Sequence, residues 1–326
     1  MAKKRNQSQI KRPWYKKWQF WAIVGVIVAA GALVWLWRRN APPALPADYQ
    51  VGNVTACLAG PAFTAGLGLE SPAIDTSQVL ATGLVIREPF ENGRFYQHET
   101  WDDAGNVGPF AYDGQGDIYL GPTPLASLQT NPTAEQNWIY KVDSQTAVME
   151  KYLELPWPLP PSGANPFGII GLTYDCDTNS LYAATVAGST AQEEVGGIYQ
   201  IDLKTGQIIS QLDNIDAIGL GIFNGTDGKR LYFGSARAPE VHSISLNADT
   251  GEFYGEPRFE FSLVAQPGGS FDNANRIQFT NDGLMAVKGN EFSYSLQVAS
   301  DPQRNIYSFQ HNPEDDSWVF LSVQQQ

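Results

Sequence analysis

Over 326 residues the chain is 43% hydrophobic and 12% aromatic, which excludes a disordered protein and suffices for one large folded core. Its 21 Lys and Arg stand against 34 Asp and Glu, yet nine of the cations and none of the acids fall in the first 39 residues. The remainder is left with twelve cations against all 34 acids, a surface that argues against nucleic acid and suits cations or basic partners.

Residues 18–37, WQFWAIVGVIVAAGALVWLW, hold no charge over twenty positions and match the ~30 Å core of a bilayer at ~1.5 Å per residue. One transmembrane helix is predicted there, following a basic tail at 1–17. Lys3, Lys4, Arg5, Lys11, Arg12, Lys16 and Lys17 precede the span and only Arg38 and Arg39 follow it closely. That asymmetry keeps the N-terminus cytoplasmic and sends the rest to the periplasm, a lumen or the exterior. Trp14, Trp18, Trp21, Trp35 and Trp37 cluster at the two ends, where indoles settle at headgroup level. A cleaved signal peptide would have a shorter apolar run followed by small residues, not Trp-Arg-Arg. The span is therefore expected to remain as a single-pass anchor.

Residues 38–48 are proline-rich and carry no apolar period, as expected of a stiff spacer. The ectodomain follows at 49–326. Val54-Thr-Ala-Cys57 fits a lipobox by residue type, but it lies far beyond the apolar span and reads as a chance match. Cys57 and Cys176 are the only cysteines, and neither belongs to a CxxC. An oxidising compartment allows one disulfide, with the paired and free states both open from sequence.

From Tyr49 onward there is no sustained helical period, only short Val, Ile, Tyr and Phe runs that stop at Gly, Asn, Asp or Pro. Four of these segments repeat as hairpins: AYDGQGDIYLG (111–121), TYDCDTNSLYAAT (173–185), FNGTDGKRLYFGS (223–235) and FTNDGLMAVKG (279–289). Each is followed by a further strand and turn, starting at Ile139, Ile198, Val241 and Ile306. Aligning Tyr119, Tyr182, Tyr232 and Met285 gives spacings of 63, 50 and 53 residues. Four-stranded antiparallel units at such intervals predict an all-β fold, a β-propeller of about five blades, or six if the first stretch divides differently. The same alignment predicts Leu181, Tyr182, Ile198, Leu231, Tyr232 and Ile306 as core between blades.

On the Asp-Gly turn followed by an apolar strand, and on the Ile-Tyr-x-(Val/Ile)-Asp strand, the chain over about 80–326 resembles the gluconolactonase and strictosidine-synthase-like propellers. That resemblance implies a divalent cation on the central axis, held by an early Glu and by Asn and Asp at the starts of the innermost strands. The corresponding oxygen donors here are Glu88, Asn106, Asn165, Asp216 and Asn275, a set that suits calcium. It implies in turn a calcium-dependent hydrolase of lactones or esters.

The residues themselves point elsewhere. His98, Glu99, Trp101, Asp102, Asp103 and Asn106 form the densest polar cluster and break the repeat more than any other segment. If extended, the chain would alternate His98, Thr100 and Asp102 on one face with Glu99, Trp101 and Asp103 on the other. They are the candidate rim for a protein partner, or else they tie an irregular first blade to its neighbour. His242 occupies the Tyr slot of the repeat, and His311 lies in a turn. Asp175-x-Asp177-x-Asn179 imitates a calcium loop, but Ser180 and Val186 stand where Gly and Glu are needed, so it reads as a hairpin turn. With no complete catalytic constellation visible, the leading reading is a membrane-anchored scaffold or assembly factor. The hydrolase comes second, and a sensor binding a small molecule in the central channel third.

Overall fold

The computed structural model describes residues 21, 43–77, 81–90, 93–124, 130–159, 164–295 and 304–325. The basic tail and the expected span at 18–37 lie outside them apart from Trp21. Among the described residues no helix is long and apolar enough to cross a membrane. One compact unit runs from Leu45 to Gln326.

That unit is an all-β propeller of five antiparallel sheets. Blade I has three short strands, Ala73–Asp75, Val85–Arg87 and Phe95–Tyr96. Blades II to V have four each. Blade II comprises Val107–Tyr112, Ile118–Pro122, Trp138–Val142 and Met149–Glu154. Blade III comprises Ile169–Asp175, Ser180–Thr185, Gly197–Asp202 and Gln207–Asp213. Blade IV comprises Ala217–Asn224, Lys229–Ser235, Glu240–Leu246 and Phe253–Ser262. Blade V comprises Asn273–Phe279, Leu284–Asn290, Asn305–Asn312 and Ser317–Gln325. The four sequence repeats are blades II to V, and the stretch before them makes one blade, so the count is five.

The strand pattern follows from position in the blade. Ser180–Thr185, second in blade III, is buried along its whole length because a neighbour covers each face. Gln207–Asp213, outermost, alternates between exposed and half-buried. Asp175-x-Asp177-x-Asn179 is the predicted hairpin turn: Asn179 takes φ 51°, a left-handed conformation that Asn tolerates, and the next strand starts at Ser180.

Four apolar clusters join consecutive blades. Trp101, Leu84 and Ile86 pack with Leu120 and Tyr140 between I and II. Tyr119 and Leu181 meet between II and III, Tyr182 and Leu231 between III and IV, and Tyr232 and Met285 between IV and V. The four aligned positions are thus all buried, as the repeat predicts. Among the described residues no comparable cluster joins blade V to blade I. Ile306 is consequently only half-buried, a correction to its predicted place in the core between blades. It lies on the opposite face of blade V from Tyr307 and Phe309, which the cluster shared with blade IV covers.

The segment ahead of blade I crosses the ends of the innermost strands. The Tyr49 hydroxyl donates to Gly225 O at 2.9 Å and Asn53 Nδ2 to Phe279 O at 3.0 Å. Gly52–Asn53 adds a short strand against Phe223 and Asn224. Cys176 N donates to Val54 O and Ala59 N to Asp113 O, both at 3.3 Å. Cys57 and Cys176 form a disulfide with Cα atoms 5.7 Å apart. This strap touches blades II, III, IV and V at the same end of the ring. The disulfide also engages the cysteine of the lipobox-like sequence.

Candidate functional site: a channel closed at one end

The innermost strands of blades II to V enclose a central cavity of about 620 Å³, within the range of small-molecule sites. Glycines let these strands approach: a Cβ on Gly219 would meet the Arg276 backbone nitrogen at 2.6 Å. Asn53, Val54, Thr55 and Leu58 of the strap line the channel where the innermost strands end. The strap therefore closes that mouth. At the other, Phe167, Thr123, Asn290 and Phe292 surround an opening, backed by a small apolar cluster of Val186, Ile218 and Ala236.

Among the described residues lining the channel there is no Asp or Glu, and there are two cations, Arg276 and Lys288. The Arg276 guanidinium lies over the Phe110 ring, 5.1 Å from its centre. Burial lowers its pKa, with the Tyr112 hydroxyl opposing the shift. Burial also lowers that of Lys288, and repulsion from Arg304 and Arg276 adds to the effect. The Tyr112 phenol is pushed up to about 12, chiefly by burial. Arg276 nevertheless keeps exposed surface and Lys288 is half-buried, so water still reaches both cations, and no channel-lining carboxylate among the described residues pairs with them.

Next to this channel, Asp216 anchors a second polar group. Its carboxylate accepts the Ser189 and Tyr294 hydroxyls at 2.5 Å each, the Gly196 N–H at 3.1 Å and the Arg237 guanidinium at 3.2 Å. Arg237 and Tyr294 line a second hollow that shares Phe292 with the channel. The Tyr294 phenol is raised, first by burial and then by Asp216.

The calcium donors implied by the family resemblance are dispersed. Only Asn275 lines the channel. Glu88, in the strand connection of blade I, takes the backbone N–H groups of Glu70 and Arg94 at 2.9 and 2.8 Å and the Arg94 guanidinium at 2.8 Å. Asn165 donates to Val186 O and Ser189 O, which links it to Asp216 through Ser189. Asn106 donates to Thr130. Two of these five already hold a cationic side chain, Arg94 or Arg237, so the set does not fit a shared divalent ion. Among the described residues there is no group of three or more His, Cys, Asp and Glu placed to hold a metal.

The segment from His98 to Asn106 is a run of turns and not an extended strand: Trp101 N donates to His98 O and Gly105 N to Asp102 O. The expected alternation of faces is absent for that reason. Trp101 is fully buried and its indole donates to Ala147 O at 2.7 Å, while Thr100 Oγ1 accepts Met149 N at 2.8 Å. His98 Nδ1 lies 3.0 Å from the Thr100 hydroxyl. These contacts tie blade I to blade II. Glu99, Asp102 and Asp103 stay exposed, whereas Trp101 has no surface to offer a partner. His242 stacks on Phe233 in the Tyr slot, and His311 meets Asp316 at 2.8 Å.

Arg276 and Lys288 were not among the residues expected to form a site. The signal was available: counting outward from the Asn281-Asp282-Gly283 turn pairs Arg276 directly with Lys288.

No family model matches the chain, and no curated protein matches it. Among solved structures it is similar to a luciferin-regenerating enzyme, at 12% identity over 85% of this chain and 94% of that one, TM-score 0.41. It is similar to an endo-arabinase from Bacteroides thetaiotaomicron at 14% over 64% and 77%, TM-score 0.38. BamB from Moraxella catarrhalis matches at 12% over 78% of each chain, TM-score 0.35. Likeness at this level identifies no activity.

Proposed function

We propose that the protein is a non-catalytic receptor that captures a small molecule in its central channel, held at a membrane surface by the span at 18–37. The observation that carries this reading is the cavity of about 620 Å³, closed at one mouth by a disulfide-fixed strap and lined by aromatic and polar side chains. A pocket closed at one end retains a ligand and desolvates it, and among the described residues that line it none forms a nucleophile paired with a base. Support for the anchor comes from the sequence: twenty uncharged residues with seven cations ahead of them.

The protein-binding reading keeps one supporting observation. Glu99, Asp102 and Asp103 stand exposed on a turn fixed from beneath by Trp101, a rigid acidic edge suited to a basic partner. The hydrolase reading lacks the converging donors it requires.

The test exposes the full-length protein to a metabolite extract, washes it, and identifies small molecules released on denaturation by mass spectrometry. Asn275→Trp, which places an indole in the channel from an exposed position, is the comparison. A compound held by the parent and lost in the variant is expected. Equal recovery from both, or none from either, would count against the receptor.

A further inference from the structure

The channel cations stand out against the charge arrangement of the whole domain. Eight of its twelve Lys and Arg meet a carboxylate: Arg87 with Asp75, Arg94 with Glu88, Lys141 with Asp117, Lys151 with Glu135, Lys229 with Asp175, Arg230 and Arg258 with Glu260, and Arg237 with Asp216. Among the described residues, Lys204, Arg276, Lys288 and Arg304 meet none. Lys204 is exposed on a turn. The other three are neighbours in blade V. Arg276 and Lys288 are direct cross-strand partners, and Lys288 pairs in turn with Ile306, two residues from Arg304.

Like charges directly opposite one another in a sheet are destabilising. Here Arg276 and Lys288 form such a pair, with Arg304 close by at the start of the next strand, in a domain with almost three acids for every base, and the described residues that line the channel include no carboxylate. Folding alone would favour an acid or a neutral residue at one of these positions. A ligand that supplies the missing negative charge removes the conflict, and charge-assisted bonds from Arg and Lys to an oxyanion are the strong kind. Aromatic rings lie beside them: Phe110 lies under Arg276, and Phe167 and Phe292 also line the channel.

We infer that the channel binds an organic dianion, such as a phosphate monoester or a dicarboxylate, with its charged end against Arg276 and Lys288 and its apolar body along the aromatic side chains. Arg304 lies beyond the channel lining and strengthens the field. This assignment rests on the receptor reading and narrows it to one ligand class.

Isothermal titration of the full-length protein in detergent with phenyl phosphate, benzoate and phenol tests it. Phenyl phosphate is expected to bind saturably, at least tenfold tighter than benzoate and more tightly still than phenol, with affinity falling as salt rises. Arg276→Gln and Lys288→Gln should each weaken phenyl phosphate at least tenfold, while Lys204→Gln should not change it. Neither channel variant should lower the melting temperature, because each relieves repulsion; a purely structural pair would melt earlier when broken. Phenol binding as well as phenyl phosphate, or full affinity in Arg276→Gln and Lys288→Gln, would overturn the dianion. If those two variants bind normally but Asn275→Trp does not, the receptor stands and the ligand class falls. If Asn275→Trp also binds normally, both fall.

Discussion

Lys229 Nζ lies 2.9 and 2.8 Å from the two carboxylate oxygens of Asp175, and both side chains are fully buried. Asp177 adds a third oxygen at 2.7 Å from the partly exposed side of the turn. The pair bridges blade III to blade IV at the hairpin that imitates a calcium loop, so an internal ammonium occupies the place that the motif suggests for a metal. Removing one partner of a buried pair leaves an uncompensated charge, which typically costs about 3–5 kcal/mol. Lys229→Met should therefore lose stability of that order in urea unfolding. Lys229→Met combined with Asp175→Leu should recover much of it, and a double variant as unstable as the single would refute the pairing.

The strap depends on a cross-link between residues 119 apart in sequence. In the chain-entropy account a loop of that length is worth about 5 kcal/mol, and removal of native disulfides commonly costs about 2–5 kcal/mol. Cys57→Ser, or reduction of the parent, is expected to lower the melting temperature and to make 49–60 the earliest site of proteolysis. Proteolysis that begins elsewhere with an unchanged melting curve would show that the hydrogen bonds from Tyr49, Asn53 and Ala59 suffice alone.

Ile198 and Ile306 occupy matching positions in the sequence repeat but different surroundings. Ile198 is fully buried between blades III and IV, and Ile306 is half-buried on the face of blade V for which the described residues supply no apolar cluster. Truncation of a buried Ile to Ala costs about 2–5 kcal/mol, part of it from the cavity left behind. Ile198→Ala should fall in that range and Ile306→Ala well below it, measured by denaturant midpoint. Equal losses would mean that a neighbour covers Ile306.

The repeat was legible because its signal is local: a turn at Asn179 or Asn281-Asp282-Gly283 and two-residue alternation on either side fix strand identity without long-range information. It left the count at about five or six, and the stretch before the repeats, which forms one three-stranded blade, makes it five. Ile306 departs from the expected core because periodicity tells which face a side chain takes, not whether another blade covers that face. Local composition marks Trp101 as a candidate, but its indole is held by Ala147, 46 residues away. The surroundings of the proposed calcium donors are equally non-local, since Glu88 and Asp216 look like free oxygen donors until Arg94 and Arg237 are placed beside them. For the channel cations the hairpin register gives the Arg276–Lys288 pairing, but their lack of acidic partners and their place on the channel wall depend on how the blades close.

Glu88 sets a pH window for blade I. The Arg94 guanidinium, then the Glu70 and Arg94 N–H groups, hold its carboxyl at about 2, below the ordinary 4.5. A depressed folded-state pKa means that the unfolded chain takes up the proton first. The contribution is present in full above about 4.5 and disappears as pH falls towards 2. Glu88→Gln should flatten the pH dependence of stability in that window and leave the profile above pH 6 parallel to the parent. A variant with the parent's acid slope would place the titration elsewhere.

The membrane expectation is a matter of charge on either side of the span. Seven cations ahead of residue 18 and two after residue 37 bias the N-terminus to the cytoplasmic side, since Lys and Arg resist translocation while Asp and Glu matter little. In membrane vesicles of known orientation, the full-length protein should fractionate as an integral protein after carbonate extraction. Protease added from the non-cytoplasmic face should digest the propeller and leave a fragment containing 1–37. Moving the imbalance tests the cause: replacing Lys3, Lys4, Arg5, Lys11 and Arg12 with Gln while adding five Lys after Arg39 should reverse the orientation in a substantial fraction of molecules. Carbonate-soluble protein, or a mature N-terminus between residues 39 and 50, would show that the span does not anchor the chain. Retained orientation after the charge swap would show that the folded propeller, not the flanking charge, decides the topology.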